Sequence, residues 1–140
     1  MNEKTKVVAY ILRKDSQNNQ QLLVFSHRNM PEAGIQVVGG TVEHGENFPS
    51  ALIREIMEES GLLLKVSDLQ KLGETRYIRK DRPEVNLRHY YEIYPQNLPD
   101  SWAHVVHSLG EDNGLVFDFF WLEIGKAKEV LTGNFGELLP

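Results

Sequence analysis

An apolar, β-rich run at residues 5–13 (TKVVAYILR) reads as a strand. Asp15 to Asn19 (DSQNN) is turn chemistry. Residues 20–28 (QQLLVFSHR) read as a second strand, so the two predict a hairpin. Gly34 to Val38 is a short apolar segment that ends at Gly39-Gly40, where the backbone can bend sharply or approach a ligand closely. The clearest helical pattern covers 47–60. Asn47 can cap it, Pro49 suits its first turn, and Gly61 stands where a left-handed residue ends a helix. β-like segments follow near 62–67, 71–80, 86–94 and 115–122, and a short final helix is expected near 124–132. Many strands with one long and one short helix predict an α/β fold with a mixed sheet.

At about 100° per residue the long helix sorts its side chains into two faces. Ile53, Ile56 and Met57 fall together, with Pro49 and Ser60 nearby, and this side is expected to pack on the sheet. Glu55, Glu58 and Glu59 fall on roughly the opposite side at i, i+3, i+4, so their carboxylates are neighbours. Like charges at that spacing cost about 0.2–0.5 kcal/mol per pair on an exposed helix. The helix dipole adds to the cost, because the three lie toward the C-terminus. Arg54, four residues before Glu58, can relieve only one of them. A hard divalent cation would relieve all three, and carboxylate oxygens suit Mg²⁺ or Mn²⁺. Taken alone, the helix fits a solvated acidic face equally well.

Composition narrows the classes. The 140 residues fit one domain, 1–140. With 41% hydrophobic and 25% charged residues, the chain has the profile of an ordinary globular protein with a core of its own. There is no cysteine, which excludes disulfides, thiolate metal sites and thiol nucleophiles. No apolar run approaches the ~20 residues needed to cross a bilayer. The first residues, MNEKTKVVAYILRKD, are too charged for a signal peptide, so a soluble, cytoplasmic protein with no membrane partner is expected. The formal charge of −5 argues against non-specific or stable nucleic-acid binding. It does not argue against a phosphate substrate if the acids gather a cation, because the cation then sets the local field.

The loop before the helix changes the balance. Gly40 to Leu62 reads GTVEHGENFPSALIREIMEESGL. This stretch resembles the Nudix box: a glycine, five residues, a glutamate, seven residues, then Arg-Glu-aliphatic-any-Glu-Glu-any-Gly-aliphatic. All nine constrained positions are met, by Gly40, Glu46, Arg54, Glu55, Ile56, Glu58, Glu59, Gly61 and Leu62. The motif covers 23 of 140 residues, and the strand content around it agrees with the family's α/β/α sandwich. One departure lies just outside it. Many relatives carry a proline two residues before the box glycine, where this chain has Val38, which bears on loop rigidity more than on catalysis.

The resemblance implies a loop-helix-loop metal site beside a mixed sheet. Residues matching Glu55, Glu58 and Glu59 hold divalent ions in such enzymes, and the backbone carbonyl just before the box, that of Gly39, often adds a ligand. The residue matching Arg54 orients the glutamates, and Glu46 belongs to the same network. The implied substrate is a nucleoside diphosphate linked to another moiety, cut by water attack at phosphorus. Glu55 is the expected base or water positioner. The family sometimes uses a later loop, which makes Glu111 or Asp112 in GEDNG an alternative beside the reading of a plain acidic turn. Arg28, at the end of the second strand, could reach a substrate phosphate. The five histidines show no zinc spacing, and Ser26 and Ser50 have no His/Asp arrangement near them. Most aromatics are expected in the core. The alternative function is a non-catalytic nucleotide-binding or sensor module on the same fold. A homodimer is left open.

Overall fold

A computed structural model describes residues 1–140. Nine elements follow one another: β1 (Asn2–Lys14), β2 (Gln20–His27), β3 (Gly39–Thr41), α1 (Phe48–Ser60), β4 (Gln70–Ile78), β5 (Glu84–Ile93), β6 (Ser101–Val105), β7 (Val116–Glu123) and α2 (Ile124–Val130). The expected hairpin forms. Asp15 Oδ1 closes its turn by accepting from the N–H groups of Gln17 and Asn19, both at 2.9 Å.

All seven strands join one mixed sheet in the order β4-β5-β1-β2-β7-β6, with β3 also on β1. β1 runs parallel to β5 over ten pairs, from Asn2↔Glu84 to Ile11↔Ile93. β1 and β2 are paired only from Leu12↔Leu22 to Lys14↔Gln20. Beyond that point they diverge, and residues 36–41 fill the gap. Gln36 bridges to Phe25 of β2, while Gly39 to Thr41 pair antiparallel with Val8 to Lys6 of β1. This splayed sheet carries the chain from its centre directly into the loop before α1.

The period of two along β1 builds both faces of the core. Val7, Ala9 and Ile11 pack toward α1 with Ala51, Leu52 and Ile56. Val8, Tyr10 and Leu12 pack on the other side with Ala127 and Leu139. The result is an α/β sandwich. Leu52 and Ile56 are fully buried, worth about 1.5–3 kcal/mol each in removed apolar surface. No helix is long and apolar enough to cross a membrane.

Four expectations need correction. Residues 62–67 form no strand: Leu62 and Leu64 pack on the core while Leu63 stays exposed, an alternation without a partner strand, and a 3-10 turn follows at Val66–Asp68. β3 forms at Gly39–Thr41, where the sequence predicts no strand, while the apolar segment 34–38 before it makes only isolated bridges. β6 forms where the sequence predicts no strand. Its sequence, SWAHV, is weakly apolar because it is an edge strand, held on β7 with Trp102 stacked on Phe119 at 5.0 Å. The buried face of α1 is also turned from the expected one. Met57 is exposed and Ile53 half-buried, whereas Glu59 lies inside with Leu52 and with Ile56 and Ser60, which are buried as expected. Burial of these polar groups is tolerated because each has a partner, one within the helix and one on β3. Ser60 Oγ donates to Ile56 O at 2.6 Å, and Glu59 accepts from the backbone of Gly39.

Candidate active site

α1 is pinned at both ends. The Asn47 side chain accepts from Ser50 N–H at 2.9 Å, and Gly61 closes the helix in the left-handed region, φ 79°. His104 Nε2 lies 3.2 Å from the Glu58 carbonyl, which the backbone N–H of His107 also reaches at 3.2 Å; Trp102 Nε1 donates to Ser60 O. The last turn of the helix, with its glutamates, is therefore fastened to the neighbouring strand.

The glutamates face β3. Glu59 Oε1 accepts from Gly39 N–H at 3.0 Å. On the ladder with β1, Ala9 N–H bonds Val38 O and Val42 N–H bonds Thr5 O, so alternation turns the Gly39 carbonyl away from β1. Gly40 is where the approach is closest. A Cβ there would overlap the Glu55 carboxyl group, which would have to swing away from β3 to make room.

Arg54 is the hub. Its Nε and Nη2 fork onto Glu46 at 2.7 and 2.8 Å, and Nη2 also reaches Thr41 O at 3.2 Å. Its Nη1 holds Glu55 Oε1 at 2.9 Å and Glu58 Oε2 at 3.3 Å. One guanidinium thus hydrogen-bonds three carboxylates, with a fourth, Glu43, 3.8 Å from Nη1, and leaves Glu59 to a backbone amide. The consequences for protonation follow from burial. Desolvation pushes the Glu55 carboxyl up to about 7 despite the opposing charge of Arg54. Burial, with Glu55 second, raises Glu59 well above the usual range. Glu46 goes the other way, to about 2, because the Arg54 fork binds its charged form.

The donor set fits a hard divalent cation: three carboxylates and a carbonyl that faces away from its ladder, beside one another. No three of these side chains already stand as a closed ligand group, and Arg54 Nη1 holds Glu55 and Glu58. Binding would draw them off that nitrogen. A pH prediction follows for the protein without divalent ions. Glu55 has a raised folded-state value, so its contribution is fully present below about pH 4.5 and is lost as pH rises through 7. The loss is about 3 kcal/mol. Glu46 is lowered, so its contribution is lost as pH falls from about 4.5 toward 2. Urea denaturation in EDTA should give a stability maximum near pH 4.5–5, and Mg²⁺ should stabilise far more at pH 8 than at pH 5. Equal stability at the two pH values in EDTA would contradict the burial of Glu55.

These residues floor a cleft of about 950 Å³, within the size range of ligand sites. The profile of the NUDIX domain matches residues 4–135. The chain belongs to the NUDIX domain family. That places it among the Nudix hydrolases, which act on pyrophosphate bonds and generally use divalent metal ions. A comparison with curated proteins finds no match. Among solved structures, the NUDIX domain of Shewanella oneidensis NrtR, complexed with ADP ribose, is similar with TM-score 0.72 and 13% identity over 99% of this chain and 84% of that one. An Ap4A hydrolase from C. elegans gives 0.63 and 19% over 99% and 93%. A MutT/nudix family protein from Enterococcus faecalis gives 0.66 and 16% over 88% of this chain, which spans only 44% of that protein's length.

The Nudix cleft gathers most of the residues expected from sequence. Gly39, Arg54, Glu55, Glu58 and Glu59 line it, and Glu46 stands behind Arg54. Glu111 and Asp112 lie on the loop that forms another wall, and Asp112 is near enough to raise Glu59. Arg28 does not join them. It is more than half exposed, forks onto Asp118 at 2.6 and 3.2 Å, and is absent from the cleft wall. Sequence reading misses the polar residues of the far wall, which include Lys6, Arg79, Asn86 and Arg88. The available signal is the alternation Glu84, Asn86, Arg88 on β5: polar residues at every second position, all buried. A solvent-facing strand edge would give the same pattern.

Proposed function

We propose that this chain is a Mg²⁺- or Mn²⁺-dependent pyrophosphohydrolase that cleaves a nucleoside diphosphate linked to another moiety, by attack of water at phosphorus. The observation that carries this reading is the trio Glu55, Glu58 and Glu59 on one helix end: Glu59 seated on the Gly39 N–H of β3, Glu55 and Glu58 tied to the Arg54–Glu46 fork. In the proposal the three carboxylates and the Gly39 carbonyl hold the ion. Such an ion, when bound, neutralises non-bridging phosphate oxygens and lowers the pKa of a coordinated water. Arg54 orients Glu55 and Glu58, and Glu46 fixes Arg54 by its two-point grip. Glu55 accepts the proton of the attacking water, from a site whose partial burial favours proton uptake near neutral pH. Glu111 and Asp112 are the alternative proton acceptors, on the loop across the cleft.

The test is a panel containing a nucleoside triphosphate, a dinucleoside polyphosphate, a nucleotide sugar and ADP-ribose, with Mg²⁺ or Mn²⁺. At least one member is expected to release a monophosphate, and EDTA is expected to abolish the release. A second reading, a binding module without turnover, has one observation in its favour: the NrtR NUDIX domain, which shares the fold, is complexed with ADP ribose. Tight nucleotide binding with no hydrolysis under any metal would select it. The intact set of box carboxylates favours the hydrolase.

A further inference from the structure

The cleft has two electrostatic halves. The acidic floor ends at Thr41, whose carbonyl accepts from Arg54 and whose hydroxyl accepts from Lys6 Nζ at 2.6 Å. Beyond Lys6 the wall is built from β1 and the β4–β5 turn, and it presents Lys4, Arg79, Lys80 and Arg82. A chain with a net charge of −5 therefore places five of its fifteen basic residues along one side of one cleft. Their internal compensation is partial. Glu84 is buried and shared by Arg79 at 3.3 Å and Lys4 at 3.7 Å. Asp81 is gripped by Arg79 at 2.6 and 2.8 Å and lies 3.7 Å from Arg82. Lys80 has no carboxylate partner within 4 Å. Five cations face two carboxylates, so three positive charges are in excess.

Such an excess beside a cation-binding floor has a specific use. A diphosphate bridging the bound ion would be neutralised at the floor. A further phosphate on the same substrate would extend past the reach of the glutamates and meet Lys6, with the other four cations beyond it. Charge-assisted bonds to phosphate are stronger than neutral ones, and a positive wall also concentrates polyanions. A neutral sugar placed there would leave the cations unpaired and gain nothing from them.

We propose that the wall of Lys4, Lys6, Arg79, Lys80 and Arg82 is a subsite for a third phosphate, so that the substrate carries three or more phosphates in a row rather than a diphosphate joined to a neutral group. This rests on the hydrolase reading for the position of the diphosphate, and the test separates the two. The probes are inorganic pyrophosphate and inorganic tripolyphosphate, titrated with Mg²⁺ present into the wild-type chain, Lys80→Gln/Arg82→Gln and Lys4→Gln/Lys80→Gln. Wild type is expected to bind tripolyphosphate at least about ten-fold more tightly than pyrophosphate, and both double variants to lose that preference while binding pyrophosphate as before. With a nucleoside triphosphate or a dinucleoside tetraphosphate as substrate, the variants should raise KM by about ten-fold and leave kcat within about two-fold. KM for a nucleoside diphosphate hexose should not move. Comparing the triphosphate with the tetraphosphate shows which source supplies the third phosphate. No preference for tripolyphosphate in wild type, or an unchanged preference in both variants, reduces the wall to a solvated turn and overturns the proposal. A clear preference without hydrolysis of any nucleotide leaves the subsite standing and removes the hydrolase reading instead.

Discussion

Glu59→Gln is expected to lower kcat by about 10²–10³ or more without unfolding the protein. Gln has nearly the same volume, and its carbonyl oxygen can still accept from Gly39 N–H, the contact that seats Glu59 at 3.0 Å. What it loses is the negative charge. That charge is costly here, since the side chain is buried against the sheet and its carboxyl is held well above the ordinary range. The variant should therefore be as stable as wild type at pH 8 in EDTA, or more so, while losing activity and the stabilisation by Mg²⁺. Thermal denaturation with and without Mg²⁺, beside steady-state rates, checks both halves. Full activity together with lower stability would mean that Glu59 is a structural acid and not a ligand.

Arg54→Met should have the largest effect on stability. Met matches much of the aliphatic stem but removes the charge that Glu46, Glu55 and Glu58 share. The side chain of Arg54 is about one-quarter exposed, so the cost is below that of breaking a fully buried pair, about 2–3 kcal/mol. Mg²⁺ should recover part of it, because the ion replaces the lost positive charge. Arg54→Lys should recover little, since an ammonium cannot make the two-point contact with Glu46 and reach Glu55 and Glu58 together. Urea denaturation in EDTA measures the loss. A change under about 0.5 kcal/mol would show that the fork does not hold the glutamates.

Both predictions concern residues that are legible in the sequence, and the reason is local. Asn47, Pro49 and Gly61 specify where α1 begins and ends within a few residues of chain, and the box spacing fixes Arg54 and its glutamates relative to one another. The strands β1 and β2 are also readable, because their apolar runs reflect burial on both faces, and β5 and β7 are readable from their aromatic and β-branched residues. Whatever depends on distant pairing is not. The sequence of β6 becomes a strand only because β7 lies beside it, and residues 62–67 alternate like a strand but find no partner. The rotation of α1 is hidden for the same reason. Met57 is more apolar than Glu59, but Glu59 faces the one backbone N–H at Gly39 that makes its burial tolerable. Sequence cannot tell Arg28 from a ligand-binding arginine, because only the pairing of β2 with β7 sets Asp118 opposite Ser26, close enough for Arg28 to fork onto it. The basic wall is non-local as well, drawing on β1 and on a turn more than seventy residues later.

Everything proposed for the reaction depends on Glu55, Glu58 and Glu59 taking up one kind of ion together. The direct measurement is a titration of Mn²⁺ at pH 8, followed by its paramagnetic signal, into the wild-type protein, Glu58→Gln and Glu59→Gln. Saturable binding to wild type, weakened by about ten-fold or more in each variant, is the expected result. Binding of equal strength in all three would contradict it.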